Sequence, residues 1–278
     1  MIDKNLEFDL IIEPGRSEKN YWNDLWRYRE LFGFLAWRDI LVRYKQTVLG
    51  LAWSLIRPFL TMVVLTVIFG GIAKLPSDGV PYAIMVYAAM LPWQFFATSF
   101  TEASNSLISN SNMLTKIYFP RLIVPSSTVI VNLVDFLISF VILVGLMFWY
   151  NLLPTWNFFA LPIFLILSVI TALGAGYYVA ALNVKYRDFR FIVPFIVQFG
   201  LYICPVAFSI SNVSEKYRLL YFLNPMTGII DGFRWSIIGH NYIFNIQGFM
   251  ISFVMIIALF VLGLWYFRKM ERQFADII

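Results

Sequence analysis

Long apolar runs separated by short polar connections dominate the chain. Those near Leu55 to Ala73, Pro81 to Ser104, Ile123 to Tyr150, Phe158 to Asn183, Phe191 to Ile210 and Phe244 to Phe267 are too long for strands of a soluble protein. Each suits the roughly 20 residues that a helix needs to cross the hydrocarbon core of a bilayer. The pattern predicts an all-α integral membrane fold with six transmembrane helices. No charged residue occurs between Asp135 and Lys185, a stretch too long for one crossing. Asn151, Pro154 and Asn157 supply the turn that divides it, which makes the third and fourth helices a hairpin. Arg57 and Pro58 fall in the opening turn of the first crossing, where proline is tolerated and arginine can reach back to the interface.

Three segments are neither spans nor plain loops. Tyr21 to Tyr44 mixes Trp22, Trp26, Phe32, Phe34 and Trp37 with Arg27, Arg29, Arg38 and Arg43, the composition of a helix at a membrane surface. Its aromatic residues fall on most faces, so an ordinary docked helix is the alternative. In the long connection 212–243, Asn224 and Pro225 read as the cap and first position of a helix that reaches Ile238 and stops at Gly239. That helix is too short to span. It is either re-entrant or rests at the interface on Phe233 and Trp235, and Gly228 with Gly232 would allow a close helix contact. Ser104 to Asn112 is rich in Ser and Asn and precedes MLTKIYFPR at 113–121, which suggests a short cytoplasmic helix or a polar turn ended by proline. The chain therefore divides into a cytoplasmic N-terminal segment with an interface helix (1–50), a six-helix membrane domain (51–270) and a cytoplasmic tail (271–278).

Composition agrees with a membrane setting: 60% of residues are hydrophobic and 13% charged, with mean hydropathy +0.74. Soluble domains carry about 25% charged residues. Of the 21 Lys and Arg residues, 17 fall before the first span, in alternate connections and in the tail, while the opposite side has only Lys74, Lys216, Arg218 and Arg234. Cytoplasmic loops carry the basic excess, so both termini are expected in the cytoplasm. The net charge of +5 forms no stripe on a soluble face, and nucleic acid is not an expected partner. No secretory signal peptide is expected, because the charged first fifty residues hold no short apolar run with a small-residue cleavage site. Cys204 is single and lies in an apolar stretch, which suits a buried inert thiol.

Several chemistries lack their parts. No lysine follows a glycine, so the GxxxxGK[ST] phosphate loop is absent and ATP-driven work needs another chain. His240 has no HExxH, cysteine pair or acidic cluster beside it, so no metal site is expected. The outward acids Asp78, Glu215 and Asp231 are scattered, which disfavours a membrane-embedded glycosyltransferase. Glu102 and Asp135 do fall in or near the bilayer, where an ionisable side chain marks a functional pathway or a paired structural contact. Asp135 either faces a polar conduit or bonds Asn132, Ser139 or a neighbouring helix.

Five stretches in order carry a resemblance. WRDILVRYKQTVLGLAWSLIRP at 37–58, LPWQFF at 91–96, KIYFPRLIVP at 116–125, NVKYRDFR at 183–190 and LNPMTGIIDGFRW at 223–235 resemble the membrane subunit of ABC-2 type polysaccharide exporters, which serve O-antigen, capsule and teichoic acid. The likeness runs from about Trp37 through nearly the whole chain. It implies a bacterial inner-membrane homodimer joined by two copies of a separate ATP-binding subunit. That subunit would bind ATP and Mg, leaving no catalytic residue and no cofactor on this chain. It further implies that the ATPase pushes on the interface helix and on the loop around Asn110 to Tyr118, with Asn110, Asn112, Lys116, Tyr118 and Arg121 as the coupling residues, and that the first, second and fifth helices shift around a central conduit.

The implied substrate is a glycan on a lipid pyrophosphate, with Arg38, Arg43, Lys45 and Arg57 placed to meet its head group. Plain anchoring among membrane lipids explains those four residues equally well. A conduit for a sliding polymer favours aromatic faces, with Trp93, Phe95, Phe96, Phe199 and Tyr202 as candidates beside Asp135, although interfacial and lipid-facing packing uses the same residue types. Two other readings stand beside this one: a drug or lipid ABC-2 exporter, and a membrane enzyme of glycan assembly that works without ATP.

Overall fold

The structure, a computed structural model, describes residues 17–45, 50–77, 79–186, 188–239, 242–271 and 273–274. Asp78 and His240, named above, lie outside these residues, as do the start of the N-terminal segment and most of the tail. The described residues form eleven α-helices and no strand: α1 (Ser17–Arg27), α2 (Arg29–Lys45), α3 (Gly50–Leu65), α4 (Tyr82–Ser109), α5 (Ser111–Leu114), α6 (Ile123–Trp149), α7 (Leu161–Lys185), α8 (Phe189–Ile203), α9 (Glu215–Tyr221), α10 (Pro225–Ile238) and α11 (Ile246–Glu271). A π-helical stretch, Thr66–Ile72, continues α3, and a 3-10 turn, Trp156–Ala160, leads into α7.

Among the described residues, five helical stretches are long and apolar enough to cross a membrane: Leu55–Ile72, Tyr82–Ser109, Ile123–Trp149, Trp156–Lys185 and Ile246–Glu271. The fifth expected crossing is shorter than the run Phe191 to Ile210 suggested. α8 has 15 residues, about 22 Å of helix, and stops at Cys204, whose ψ of 146° is extended. Pro205 follows, and a residue before proline is pushed out of the helical region. The non-helical backbone beyond it is satisfied by the buried Arg234, which donates to the carbonyls of Val206 (2.9 Å), Phe208 (2.9 Å) and Met85 (3.2 Å). Irregular backbone is tolerated away from water when its polar groups are paired in this way.

α4 is the axis of the molecule. Of its most apolar 18-residue stretch, 83% is buried within the chain, against 17% for the α3 stretch. It packs on α6, α7, α10 and α3, so the hairpin partners α6 and α7 each meet α4 more extensively than they meet one another. The helix also runs past Ser104, where a polar segment was expected to begin. Its hydroxyls close on their own turns: Thr98 donates to the Gln94 carbonyl (2.9 Å), Thr101 to Ala97 (2.7 Å), Ser104 to Phe100 (2.6 Å) and Ser106 to Ala103 (2.7 Å). A Ser- and Thr-rich stretch satisfied by i−3 and i−4 carbonyls remains helix in an apolar setting.

Other differences are local. α3 begins at Gly50, so Pro58 sits two turns inside the helix rather than in its opening turn. Tyr21 to Tyr44 is two helices broken at Tyr28, with Tyr21, Leu35 and Ala36 buried while Trp22, Trp26, Phe34 and Trp37 remain exposed. One side is docked and the other open. α10 starts and stops where its residues predicted. The Asn224 side chain accepts from the Met226 N–H at 3.0 Å, Pro225 follows, and Gly239 ends the helix at φ 76°. α10 is buried against α4, α7 and α11, and Phe233 is enclosed in the core, so it does not rest on a surface through that ring.

Helix α7 crosses α11 at backbone contact. A Cβ built on Gly174 would lie 2.7 Å from Phe260 Cα, and one on Gly263 would lie 2.0 Å from the Gly174 carbonyl oxygen. Such crossings hold membrane helices together because lipid-filled space gives no hydrophobic drive between them. Gly145 on α6 has open space instead. Gly263→Ala is therefore expected to lower the melting temperature of the detergent-solubilised protein by several degrees, at a cost of about 1–3 kcal/mol for overpacking. Gly145→Ala should leave it unchanged or raise it slightly, because alanine favours helix. Thermal denaturation of the two variants in parallel tests this contrast.

Candidate functional site

Two carboxylates inside helices set the chemistry of the site. Glu102 on α4 and Asp135 on α6 come together around Arg43, which projects from the last turn of α2. Arg43 spreads its fork between them, with Nη2 on Glu102 and Nη1 on Asp135 at 2.5 Å and on the Asn132 side-chain oxygen at 2.9 Å. Asn132 returns its amide N–H groups to Glu102 (3.0 Å) and to the Thr128 carbonyl (3.1 Å). Tyr44 donates its hydroxyl to the other oxygen of Asp135. Burial acts to lower the Arg43 pKa, but the Glu102 and Asp135 carboxylates outweigh it and hold the guanidinium above its usual value. The Tyr44 hydroxyl is raised by burial and by its bond to Asp135. A planar fork that gives one nitrogen to each of two carboxylates is what arginine provides and lysine does not.

A cavity of about 230 Å³ opens beside the cluster. Its walls come from α3 (Arg57, Pro58), α4 (Tyr87, Gln94, Phe95, Thr98) and α6 (Asp135, Ser139). Phe95 stands edge-on to Phe136 at 5.9 Å. Among the described residues no carboxylate lies within ion-pair distance of Arg57, whereas Arg43 is committed to two. Such a cavity, apolar and aromatic with a few convergent polar groups and, of its two cations Arg43 and Arg57, one without a carboxylate partner, suits an amphipathic anionic ligand. No group of three or more potential metal ligands occurs among the described residues.

Arg38, Arg43, Lys45 and Arg57, expected together at a head group, are thus placed differently. Arg38 pairs with Asp39 at 2.8 Å and donates to the Asn110 side chain at 3.3 Å. Arg43 is held in the cluster, Lys45 is exposed, and Arg57 is exposed at the cavity. The aromatic candidates also separate. Phe95 and Asp135 line the cavity. Trp93 is buried beside Phe96 (5.7 Å) and against Gly200 of α8, while Phe96 stacks on Phe100 at 5.6 Å. Phe199 and Tyr202 are exposed on the outer face of α8.

The loop after α4 forms a compact knob around α5. Asn112, Lys116, Ile117 and Tyr118 are exposed on it. Asn110 caps the end of α4 and ties its side chain to the Ser106 carbonyl at 2.9 Å. Arg121 does another job. Its backbone N–H donates to Glu271 Oε1 (2.9 Å), its Nη1 donates to the Glu271 carbonyl (2.6 Å), and its guanidinium lies over the Phe274 ring. Tyr21 donates to the same Glu271 oxygen at 3.1 Å, and Arg268 covers the Tyr21 ring at 3.7 Å. α1, the knob and the end of α11 are stapled together at Glu271.

The site joins Glu102 and Asp135, the two intramembrane acids that the sequence singled out, with Arg43, Arg57 and Phe95 and with Asn132, expected as a bonding partner of Asp135. The signal for the cluster was charge complementarity, since two intramembrane acids require a cation. Tyr44 and Gln94 gave no comparable sign.

Comparison with known proteins places these features in context. The model of the ABC-2 type transporter family matches residues 30–238. An O-antigen export system permease protein RfbA of Myxococcus xanthus is 28% identical over 213 residues, covering 76% of this chain and 81% of its own length. Two proteins of the same description from Klebsiella pneumoniae are 27% and 28% identical over 242 residues, covering 87% of this chain and 92% of theirs. The matched region begins in α2 and takes in the cluster, the cavity and the knob.

Tyr118→Ala should leave the melting temperature within about a degree of the parent, as expected of an exposed position. Arg121→Ala should lower it by several degrees, because it removes the charged hydrogen bond to the Glu271 carbonyl, worth about 1.5–3 kcal/mol, and the contact with the Phe274 ring. Thermal denaturation in detergent distinguishes the two roles.

Proposed function

Because the chain belongs to the ABC-2 type transporter family, we propose that it is the transmembrane subunit of an ATP-driven exporter that moves a lipid-linked polysaccharide across the bacterial inner membrane. The observation that carries this reading is the match of residues 30–238 to the family, together with relatives described as O-antigen export permeases along most of their length. ATP and Mg belong to a separate ATP-binding subunit, in keeping with the missing phosphate loop. Two copies of that subunit would serve a homodimer of this chain. The exposed apolar faces of α3 and α8 supply surface for a second copy and for lipid. The six-crossing topology takes α8 with the extended segment after it as the fifth crossing and α10 as a re-entrant helix, with both termini cytoplasmic as the basic residues require.

In this reading the knob is the coupling surface. Asn112, Lys116, Ile117 and Tyr118 face the ATPase, while Asn110 and Arg121 hold the knob in shape. The pyrophosphate of the carrier is met by Arg57, with Lys45 nearby in sequence at the membrane entry, because Arg57 is the cavity cation without a carboxylate partner. Gln94 and Thr98 offer hydrogen bonds to the sugar that follows it, and Phe95 offers an aromatic face. Aromatic faces let a polymer slide because they bind the apolar sides of sugars without fixing a single hydrogen-bonding register.

Tagged protein expressed with its candidate ATPase is expected to co-purify as an ATP-hydrolysing complex. The double variant Lys116→Ala/Tyr118→Ala should purify in equal amount yet recover at least about fivefold less ATPase, since central aromatic interface residues carry about 2 kcal/mol or more. A stable wild-type protein that recruits no ATPase would contradict the exporter reading and favour a membrane enzyme of glycan assembly. In cells, Arg57→Ala is expected to reduce surface polysaccharide several-fold, measured by surface staining, with protein level unchanged.

A further inference from the structure

We propose that Arg43 is a positioning residue that locks α2 to α4 and α6 as one body, so that a push on α2 is delivered to the wall of the cavity formed by α4 and α6 while α3 is left behind. The inference rests on the exporter reading, because the push comes from the ATP-binding partner.

The packing of α2 motivates it. Although α2 precedes α3 in the chain, its main contact among the spans is α6, and its contact with α3 is slight. Three side chains make the attachment polar and directional: Arg43 to Glu102 and Asp135, Tyr44 to Asp135, and Arg38 to Asn110 at the end of α4. α2 therefore grips α4 at two levels, at one through Arg38 and at the other through Arg43, and at the Arg43 level it holds α6 as well. The opposite wall of the cavity is different. α3 contributes Arg57 and Pro58, and little of its apolar stretch is buried within the chain. The cavity lies between α3 and the body that Arg43 ties together, where relative motion of the two would change its width.

The chemistry of the cluster fits this role better than simple neutralisation. Three ionised groups next to the bilayer are costly, and an amide or apolar set of similar volume would fill the same space with less desolvation. What an arginine fork between two carboxylates adds is a short, stiff connection with fixed geometry.

The test uses the intact complex of this chain with its ATPase, reading ATP hydrolysis of the purified complex and polysaccharide at the cell surface in parallel. Arg43→Gln alone leaves two unpaired carboxylates and can fail to fold, so the decisive variant is Arg43→Gln/Glu102→Gln/Asp135→Asn, which removes the charges and keeps hydrogen-bonding groups. The triple variant is expected to assemble and to hydrolyse ATP within about twofold of wild type while export falls at least about tenfold. Arg43→Lys, which keeps the charge but not the fork, should export at an intermediate level. Export by the triple variant at the wild-type level would overturn the proposal and leave the cluster a structural ion pair. A parallel loss of hydrolysis and export, or failure of the triple variant to assemble, would also overturn it, since the cluster would then govern assembly rather than transmission. A wild-type chain that assembles no ATPase would instead sink the exporter reading, which makes the two failures distinguishable.

Discussion

Glu102 and Asp135 place two carboxylates within the helix bundle, each still partly exposed, and the guanidinium of Arg43 bridges them. In a low-dielectric setting an unpaired carboxylate costs several kcal/mol, whereas a pair with every lone pair occupied is tolerated. Asn132 and Tyr44 complete that requirement by filling the oxygens that Arg43 does not reach. The consequence is architectural. The end of α2 must lie against α4 and α6, which sets where the N-terminal helices dock and leaves the cavity between this assembly and α3.

The same rule shapes the other end of the molecule. Pro205 breaks α8, and Arg234, almost wholly enclosed, donates to two carbonyls of the segment beyond it, Val206 and Phe208, and to the Met85 carbonyl of α4. α10, which carries Arg234, is in turn held by its Asn224 cap and by close approach through glycine. A Cβ on Gly228 would meet Ser252 at 2.5 Å, and one on Gly232 would meet Phe164 at 2.1 Å. Asp231 on the same helix accepts from Tyr242 at 2.6 Å and fastens the chain leading into α11. A short helix that cannot span is thereby made part of the core, and the segment after α8 acquires a defined path.

Much of this was legible from residue order. The apolar runs located the long helices, and the Asn224, Pro225 and Gly239 signals located α10 to the residue, because capping is a local matter of backbone groups and neighbouring side chains. The end of α4 was misjudged because Ser and Thr read as loop formers, although in an apolar medium their hydroxyls return to their own helix. α9 went unseen because a seven-residue amphipathic turn carries no periodicity long enough to register. The site was half legible. Charge at membrane depth identified Asp135 and Glu102, but which arginine answers them depends on how α2 folds back, a tertiary fact. For the same reason Trp93, Phe96, Phe199 and Tyr202, alike by composition, lie in different places.

The account joins a membrane subunit without its own nucleotide site to movement of a lipid-linked glycan powered by a partner. The most direct measurement reconstitutes the purified chain with its ATPase in liposomes and supplies lipid-linked polysaccharide extracted from the source cells. Transfer of the glycan across the bilayer is then followed by its protection from an added glycan-degrading enzyme. The account predicts that protection develops only when both subunits and hydrolysable ATP are present. Equal protection with this chain alone, or without ATP, would contradict it.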